Sequence, residues 1–338
     1  MKQAARPTAF VRIPVPALAH FLMTTPTARQ GLLRSLVYPV LRPVYHPARY
    51  YYSLWRARTA GLGVSAPRSI SMDCSHAEMA SRMREAISPR VHWKHIALDS
   101  DPLRQNLQLY FQRHRDVYDI DKGRAKALEH ALGLELLDFT RVHRYCDVAS
   151  CASPIQETFA AHFPQTEFWV QDLIYEDDLQ HFKIGGFAQK MSSIPDGFFD
   201  ALTLHNSFEH FMGSSDSEFV SEVDRVLSPT GACLILPLYV AATHRIYFDP
   251  IAVTPSLLRT YDRGADLIPV RGFASQEHAR CYDAATLQER IISRIPLTLE
   301  ATILDFSGGE NIAPEMYPEF ALVLHRMESV LRQENPVR

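Results

Sequence analysis

The chain has few cysteines, the residues that build disulfide frameworks and zinc knuckles. It holds five cysteines among 338 residues, and no two of them form a C-x-x-C pair. An odd and scattered set argues against both a disulfide scaffold and a zinc knuckle, so a reducing compartment and no metal centre are expected. The five are Cys74, Cys146, Cys151, Cys233 and Cys281.

Long apolar runs and glycine motifs are also missing. No stretch of about 18 apolar residues free of charge occurs, so a membrane-spanning helix is not expected. No G-x-G-x-x-G motif follows a predicted strand. The segment Gly61-Leu62-Gly63 matches the first part of this motif, but it lacks the third glycine and no predicted strand precedes it. This absence argues against a nicotinamide-dependent dehydrogenase.

Acidic residues are absent from the first 72 positions. That segment carries one lysine and nine arginines, so +10 of charge lies there and −13 in the remainder, for a formal net charge of −3. Seven prolines between residues 1 and 63 exclude long helices. We expect a basic arm that packs on the acidic remainder of the chain; contact with an anionic membrane, a secretory signal and an organelle transit peptide are alternatives, and nucleic acid is not expected.

The stretch 195–240 predicts a strand, a helix and a second strand. Residues 199–204 form a buried apolar run, and Ser215 begins a helix with Glu218 as the second half of a capping box. The segment 228–231 ends that helix, and the apolar run 232–236 follows. Two parallel strands joined by a helical crossover are therefore expected.

The remaining patterns extend this unit to an α/β fold. Strands are predicted at 142–148, 166–172, 182–187, 299–306 and 319–326, and helical patterns at 75–87, within 102–137 and from Asp283 onward. The short connection between the last two strands lacks a helix, so that pair is expected to be antiparallel.

The segment 195–240 resembles the fourth-to-fifth-strand region of class I S-adenosylmethionine (SAM) dependent methyltransferases, close to the type 11 group. The resemblance rests on a Phe-Asp pair entering the first strand, on Glu209-His210 after it, and on the run Arg225 to Gly231 before the second. It implies a Rossmann-like sheet of seven strands with helices on both faces and an antiparallel last strand. The methyltransferase domain would span 141–330, with a helical lead-in or lid at 73–140, the basic arm at 1–72 and a substrate-side insert at 241–281.

The loop after the first core strand departs from that family. Methyltransferases have Asp-x-Gly-x-Gly-x-Gly there, whereas this chain has Asp147 followed by Val, Ala, Ser, Cys, Ala and Ser. The small side chains allow close approach of a ligand, and we expect negative φ angles in place of those that glycine permits. Asp172 ends the next strand 19 positions after Ser153, a spacing that suits a carboxylate on ribose hydroxyls. The residues expected to bind SAM are Asp147, Ala149, Ser150, Cys151, Ser153, Asp172, Phe187, Ala188, Asn206 and Ser207.

Two histidines follow the central strand and are candidates for a general base. His205 and His210 are expected at the mouth of the cleft, where an imidazole accepts the proton of a hydroxyl or amine. A structural role at the entry of the helix is the alternative for each. A zinc site of the His-x-x-Glu-His type does not fit, because His205 and Glu209 are four positions apart.

The sequence thus predicts a cytoplasmic enzyme that transfers a methyl group from SAM to a small-molecule or carrier-bound acceptor, with the membrane periphery as the alternative location. The alternative is a non-catalytic binding protein that keeps the fold but has a degenerate SAM loop.

Overall fold

The computed structural model describes residues 74–118, 123–151, 153–250, 260–270, 278–312 and 319–327. The basic arm at 1–72 lies outside the described residues, so its expected contact with the acidic remainder stays a prediction. No helix in the described ranges is long and apolar enough to cross a membrane.

Helices and strands alternate through most of the described chain. The helices are α1 (His76–Ala86), α2 (Asp101–His114), α3 (Gly123–Leu136), α4 (Ile155–Ala160), α5 (Ser215–Val226) and α6 (Ala284–Arg290). The strands are β1 (Val91–Ala97), β2 (Arg144–Val148), β3 (Glu167–Asp172), β4 (Lys183–Gly185), β5 (Phe199–His205), β6 (Leu227–Leu236), β7 (Arg245–Phe248), β8 (Asp266–Pro269), β9 (Ala279–Cys281), β10 (Leu299–Ser307) and β11 (Phe320–Arg326).

The main sheet has eight strands in the order β1-β10-β11-β6-β5-β2-β3-β4. β11 is antiparallel to both of its neighbours, β10 and β6, and the other pairs are parallel. The predicted α/β sheet with an antiparallel last strand is therefore confirmed. The sheet has one strand more than the seven expected, because β1, from the segment predicted as a helical lead-in, pairs in parallel with β10 along its whole length.

Helices cover both faces of the sheet, as predicted. Because side chains alternate along a strand, Cys146 and Val148 of β2 face one core and Tyr145 faces the other. The first core contains buried residues of α1, α5 and α6. The second contains buried residues of α2, α3 and α4. Open α/β sheets bind ligands at the carboxyl ends of their parallel strands.

The insert at 241–281 folds as a second sheet, which the sequence did not predict. β7 lies in its centre, parallel to β8 and antiparallel to β9. The guanidinium of Arg280, on β9, is fully buried and donates to Asp216 of α5 and to Asp262. The insert is thereby fixed to the helix that follows β5.

Two predicted details at α5 are wrong. The helix begins at Ser215, and Ser214 precedes it without a side-chain cap, so the capping box does not form; the Ser214 hydroxyl instead donates to the Glu218 carboxylate at 2.5 Å. The segment 228–231 belongs to β6, which starts at Leu227, directly after the helix.

Candidate cofactor and acceptor site

The residues expected to bind SAM lie together around the carboxyl ends of β2, β3, β4 and β5. β2 pairs in parallel with both β3 and β5, so the loops that follow these strands share one edge of the sheet. Asp172 pairs with Gly185 at the end of β4. Ser207, after β5, donates from its hydroxyl to the Val148 carbonyl at 3.4 Å. The topology therefore places the predicted set at one edge of the sheet, where a ligand crevice is expected.

The loop after β2 has the backbone shape of a glycine loop without containing glycine. Ala149 has φ 52° and Cys151 has φ 45°, both in the left-handed region. The expectation of relaxed negative φ angles is therefore wrong. A left-handed residue with a Cβ costs about 1–2 kcal/mol, and such cost is typically tolerated where the conformation serves a site.

Asp172 stabilises this loop directly. Its Oδ2 accepts from the Cys151 amide at 2.7 Å, and its Oδ1 accepts from the Ile174 amide at 3.1 Å. Each carboxylate oxygen has two lone pairs, so both oxygens keep capacity for one further donor. The residue is 9% exposed, at the rim of the crevice. These two hydrogen bonds fix the orientation of the Asp172 carboxylate, and the bond from Cys151 also stabilises the conformation of the loop after β2.

Gln171 is a site residue that the sequence did not indicate. Its Oε1 accepts from the Ala149 amide at 3.2 Å, and its Nε2 donates to the Gly186 carbonyl at 2.5 Å. The side chain therefore connects the loop after β2 to the turn after β4. A polar residue one position before Asp172 in an otherwise apolar strand was the available signal.

The other members of the set line the same edge. Ser150 is buried, with its hydroxyl 3.4 Å from that of Tyr175, and Ser153 accepts from the Ile155 amide at 3.3 Å at the start of α4. Phe187 is 61% exposed, whereas Ala188 next to it is buried. Phe187 thus presents an open aromatic surface beside Asp172, on the β4 side of the crevice.

His205 does not lie at the mouth of the crevice, where it was expected. Its imidazole is buried beneath α3, with Nδ1 3.4 Å from Oδ1 of Asp147 and the ring 4.7 Å from that of His130. A Cβ on Gly133 would lie 2.8 Å from Nε2 of His205, so the helix approaches the ring closely. His205 contacts the loop through Asp147, and its predicted role as a base stays a prediction.

Asn206 and its neighbours form a second polar group after β5. The Asn206 amide donates to Glu129 of α3 and accepts from the Tyr239 hydroxyl at 2.5 Å. Lys126 donates to the His205 carbonyl at 2.8 Å and lies 3.7 Å from the Glu129 carboxylate. These contacts connect α3 and the end of β6 to the crevice.

His210 is the more accessible of the two predicted bases. Its Nδ1 lies 2.5 Å from the His278 carbonyl, and its Nε2 lies 3.5 Å from the Glu209 carboxylate. Burial raises the pKa of Glu209 above its ordinary value. Burial and the nearby Arg280 lower the pKa of His278 to about 3, so this imidazole is neutral at pH 7. Within the described ranges, no three or more His, Cys, Asp or Glu side chains are arranged so that they could hold a metal ion together.

A family model matches part of the segment that carries the site. A family profile described as a methyltransferase domain matches residues 173–235, from the end of β3 to the end of β6. The chain matches the methyltransferase family there, as the sequence predicted. The matched segment includes Phe187 and Asn206 and ends one residue before the end of β6. A search of curated proteins found no significant match.

Several solved structures are distantly similar to this chain. A protein assigned as a methyltransferase from Bacillus halodurans is 23% identical over 31% of this chain and 49% of its own, with a TM-score of 0.26. One assigned as an O-methyltransferase from Nostoc punctiforme is 14% identical over 67% of this chain and 61% of its own, with a TM-score of 0.38. The chain thus spans about half to three fifths of the length of these two proteins.

A third structure is the 1,6-didemethyltoxoflavin-N1-methyltransferase of Burkholderia thailandensis, solved with that compound and S-adenosylhomocysteine. It is 12% identical over 78% of this chain and all of its own, with a TM-score of 0.40. Similarity at this level carries no conclusion about the acceptor.

Proposed function

We propose that the protein transfers a methyl group from SAM to a small-molecule or carrier-bound acceptor. The observation that carries the proposal is the loop after β2, which holds Ala149 and Cys151 at positive φ with the Asp172 carboxylate bonded to the Cys151 amide. This is the backbone shape for which glycine is normally used, so the chain keeps the conformation although its glycines are gone. The methyltransferase profile over residues 173–235 supports the same reading.

The residues present suit the parts of SAM. The loop 149–153 and the buried Asp147 would hold the charged methionine end, because the small side chains of the loop allow a ligand to approach its backbone and the Asp147 carboxylate can accept from an ammonium group. Asp172 would accept both ribose hydroxyls with the lone pairs that the loop amides leave free. Phe187 offers an exposed ring to the flat adenine. Phe187 occupies the position of the aspartate that accepts from adenine in related enzymes, so stacking would replace that hydrogen bond.

The chemistry needs little from the protein beyond positioning. SAM supplies a methyl group already activated by the sulfonium, so in-line orientation of the acceptor lone pair can provide most of the acceleration. The crevice would exclude water and align the acceptor near the end of β5. The free cysteines, four of them partly or fully buried, suit a reducing compartment such as the cytoplasm.

Calorimetric titration with SAM and with S-adenosylhomocysteine tests the proposal. We expect saturable binding of both, weakened about tenfold to a hundredfold in Asp172→Asn, because a charge-assisted hydrogen bond contributes about 1.5–3 kcal/mol. Glu176→Gln is the matched control, since Glu176 is exposed four positions away.

The titration has two outcomes that contradict the proposal in different ways. Absence of binding at millimolar ligand would show that the loop has lost its cofactor. Binding that Asp172→Asn leaves unchanged would show that the ligand lies elsewhere.

A further inference from the structure

The turn that follows β5 meets the insert in a small polar cluster. The turn is the short helix Phe208–His210, and it lies against β9. His278, just before β9, has Nδ1 3.1 Å from the Glu209 carbonyl, while Nδ1 of His210 lies 2.5 Å from the His278 carbonyl. We call Glu209, His210 and His278 the acid–imidazole cluster.

Two polar atoms of this cluster are buried without a partner. Nε2 of His278 and Oε2 of Glu209 have no hydrogen-bond partner among the described residues. His278 is 2% exposed and Glu209 is 7% exposed. Leaving a buried polar atom unsatisfied costs about 1–3 kcal/mol, so two such atoms on residues that are bonded to each other through the Glu209 carbonyl indicate a place for a polar ligand.

The protonation of His278 defines what that ligand must offer. The Glu209 carbonyl can only accept, so Nδ1 of His278 carries the hydrogen and the neutral ring has a lone pair on Nε2. Because the pKa of this imidazole is about 3, Nε2 accepts a hydrogen bond but does not retain a proton near neutral pH. The complementary group is therefore an N–H or O–H donor.

The cluster follows β5 shortly after a residue that contacts the end of β2. β5 neighbours β2 in the sheet, and Ser207 bonds to the Val148 carbonyl, so residue 209 follows two positions after a direct contact with the cofactor loop. Asn206, Glu129 and Tyr239 continue the polar lining on the α3 side. An acceptor atom held here would be next to the end of the crevice from which the methyl group leaves.

We propose that the acid–imidazole cluster binds the acceptor through an amine or hydroxyl hydrogen, with His278 Nε2 and Glu209 Oε2 as its partners. The inference rests on the proposed methyl transfer and names the acceptor chemistry: a nitrogen or oxygen that carries hydrogen. The hydrogen bond to Nε2 orients the donor atom, whose lone pair then faces the cofactor. His278 would thus be a specificity residue supplied by the insert.

Ring compounds that differ only in the donor test this proposal. Phenol, aniline and anisole are titrated into protein saturated with S-adenosylhomocysteine, and binding is followed by ligand-observed NMR. We expect phenol and aniline to bind at least about tenfold more tightly than anisole, since a buried site built for a donor rejects an analogue that lacks it. Equal binding of phenol and anisole, or no binding of any of the three, overturns the proposal.

Substitution of His278 separates its structural and its ligand-binding nitrogen. His278→Asn keeps a donor to the Glu209 carbonyl in place of Nδ1 and removes Nε2, so the preference for phenol over anisole should disappear while affinity for S-adenosylhomocysteine stays within about twofold. His278→Gln places a side-chain oxygen near the Nε2 position and should retain part of the preference. His92→Asn, on the exposed edge strand β1, is the matched control and should change neither.

The two proposals fail separately. If the protein does not bind S-adenosylhomocysteine but prefers phenol over anisole, and His278→Asn removes that preference, the donor site is supported and the proposed methyl transfer is contradicted. If the protein binds S-adenosylhomocysteine but the His278→Asn variant keeps the full preference for phenol over anisole, only the proposed donor site is contradicted.

Discussion

Asp216 should be among the most sensitive positions for stability, because its buried carboxylate joins the insert to the main sheet. The side chain is 0% exposed. Its oxygens accept from Arg280 at 2.9 Å, from Arg290 at 2.7 and 3.0 Å and from the Tyr282 hydroxyl at 2.8 Å. The Arg280 guanidinium is equally buried, so Asp216→Asn leaves a positive charge in the interior with one carboxylate partner fewer.

The magnitude follows from the cost of breaking a buried ion pair. Removing one partner of such a pair costs about 3–5 kcal/mol, against a total stability of about 5–15 kcal/mol for a folded domain. With an m-value of about 3 kcal/mol per molar urea, the midpoint should fall by roughly 1–1.7 M. Unfolding in urea followed by circular dichroism measures this shift.

The control for Asp216 is an aspartate with a similar partner at the surface. Asp196 lies 2.8 Å from Arg225, but its side chain is 82% exposed. Asp196→Asn should therefore cost no more than about 1 kcal/mol. If Asp216→Asn lowers the free energy of unfolding by less than about 1 kcal/mol, the buried cluster does not stabilise the insert and the reasoning is refuted.

Three further predictions concern the loop and the buried histidines. Ala149→Gly should raise the free energy of unfolding by up to about 1 kcal/mol, because relief of a left-handed alanine exceeds the entropy cost of glycine; a loss of stability in urea would contradict the φ of 52°. Cys151 is exposed, whereas Cys233 is buried with a raised pKa, so iodoacetamide should modify Cys151 first. Bound SAM should slow the modification of Cys151 in proportion to the occupancy of the site. A modification rate that SAM leaves unchanged would place the ligand away from the loop. The pKa values of His130 and His278 are lowered in the folded chain, so the unfolded chain binds protons that the folded chain does not. The contribution of these histidines to the free energy of unfolding is fully present above about pH 6.5 and falls below it by up to about 1.4 kcal/mol per pH unit for each histidine. Urea unfolding at pH 7, 6 and 5 should show this decrease, and the decrease should be smaller in His278→Asn.

The central part of the fold could be predicted from the sequence because its signals are local. The run 199–204, the helix that begins at Ser215 and the strand 232–236 are each buried on the side that their apolar pattern indicates. β1 could not be predicted in the same way. It is an edge strand with His92, Lys94 and His95 among its seven residues, so its pairing with β10 leaves little apolar alternation in the sequence.

The insert escaped prediction for a related reason. Its strands have three or four residues each, and β9 is held by the side chain of Arg280 more than by apolar burial. An arginine in a short strand is ordinarily taken as a surface residue. Its buried position depends on Asp216 and Asp262, which lie 64 and 18 residues away in the chain.

The conformation of the cofactor loop shows where a residue-based argument fails. Absence of glycine predicted negative φ at Ala149 and Cys151, since an isolated residue with a Cβ prefers that region. The structure has positive φ at both, because the Asp172 carboxylate and the Gln171 side chain bind the loop amides of Cys151 and Ala149. Two hydrogen bonds from β3 therefore compensate for the local preference, and neither can be inferred from the loop sequence itself.

The positions of the histidines near the end of β5 also depend on contacts with distant parts of the chain. The sequence placed His205 and His210 at the cleft because polar residues that follow a buried strand usually lie at its open end. His205 is instead covered by α3, which approaches closely because residue 133 is glycine. Nε2 of His205 and Nε2 of His278 are both buried without a hydrogen-bond partner among the described residues. His278 is 69 residues from Glu209 in the chain and contacts the turn after β5 because the insert folds back onto it. The residues that lie next to β5 in the sequence do not indicate this contact, because it depends on the path of the insert.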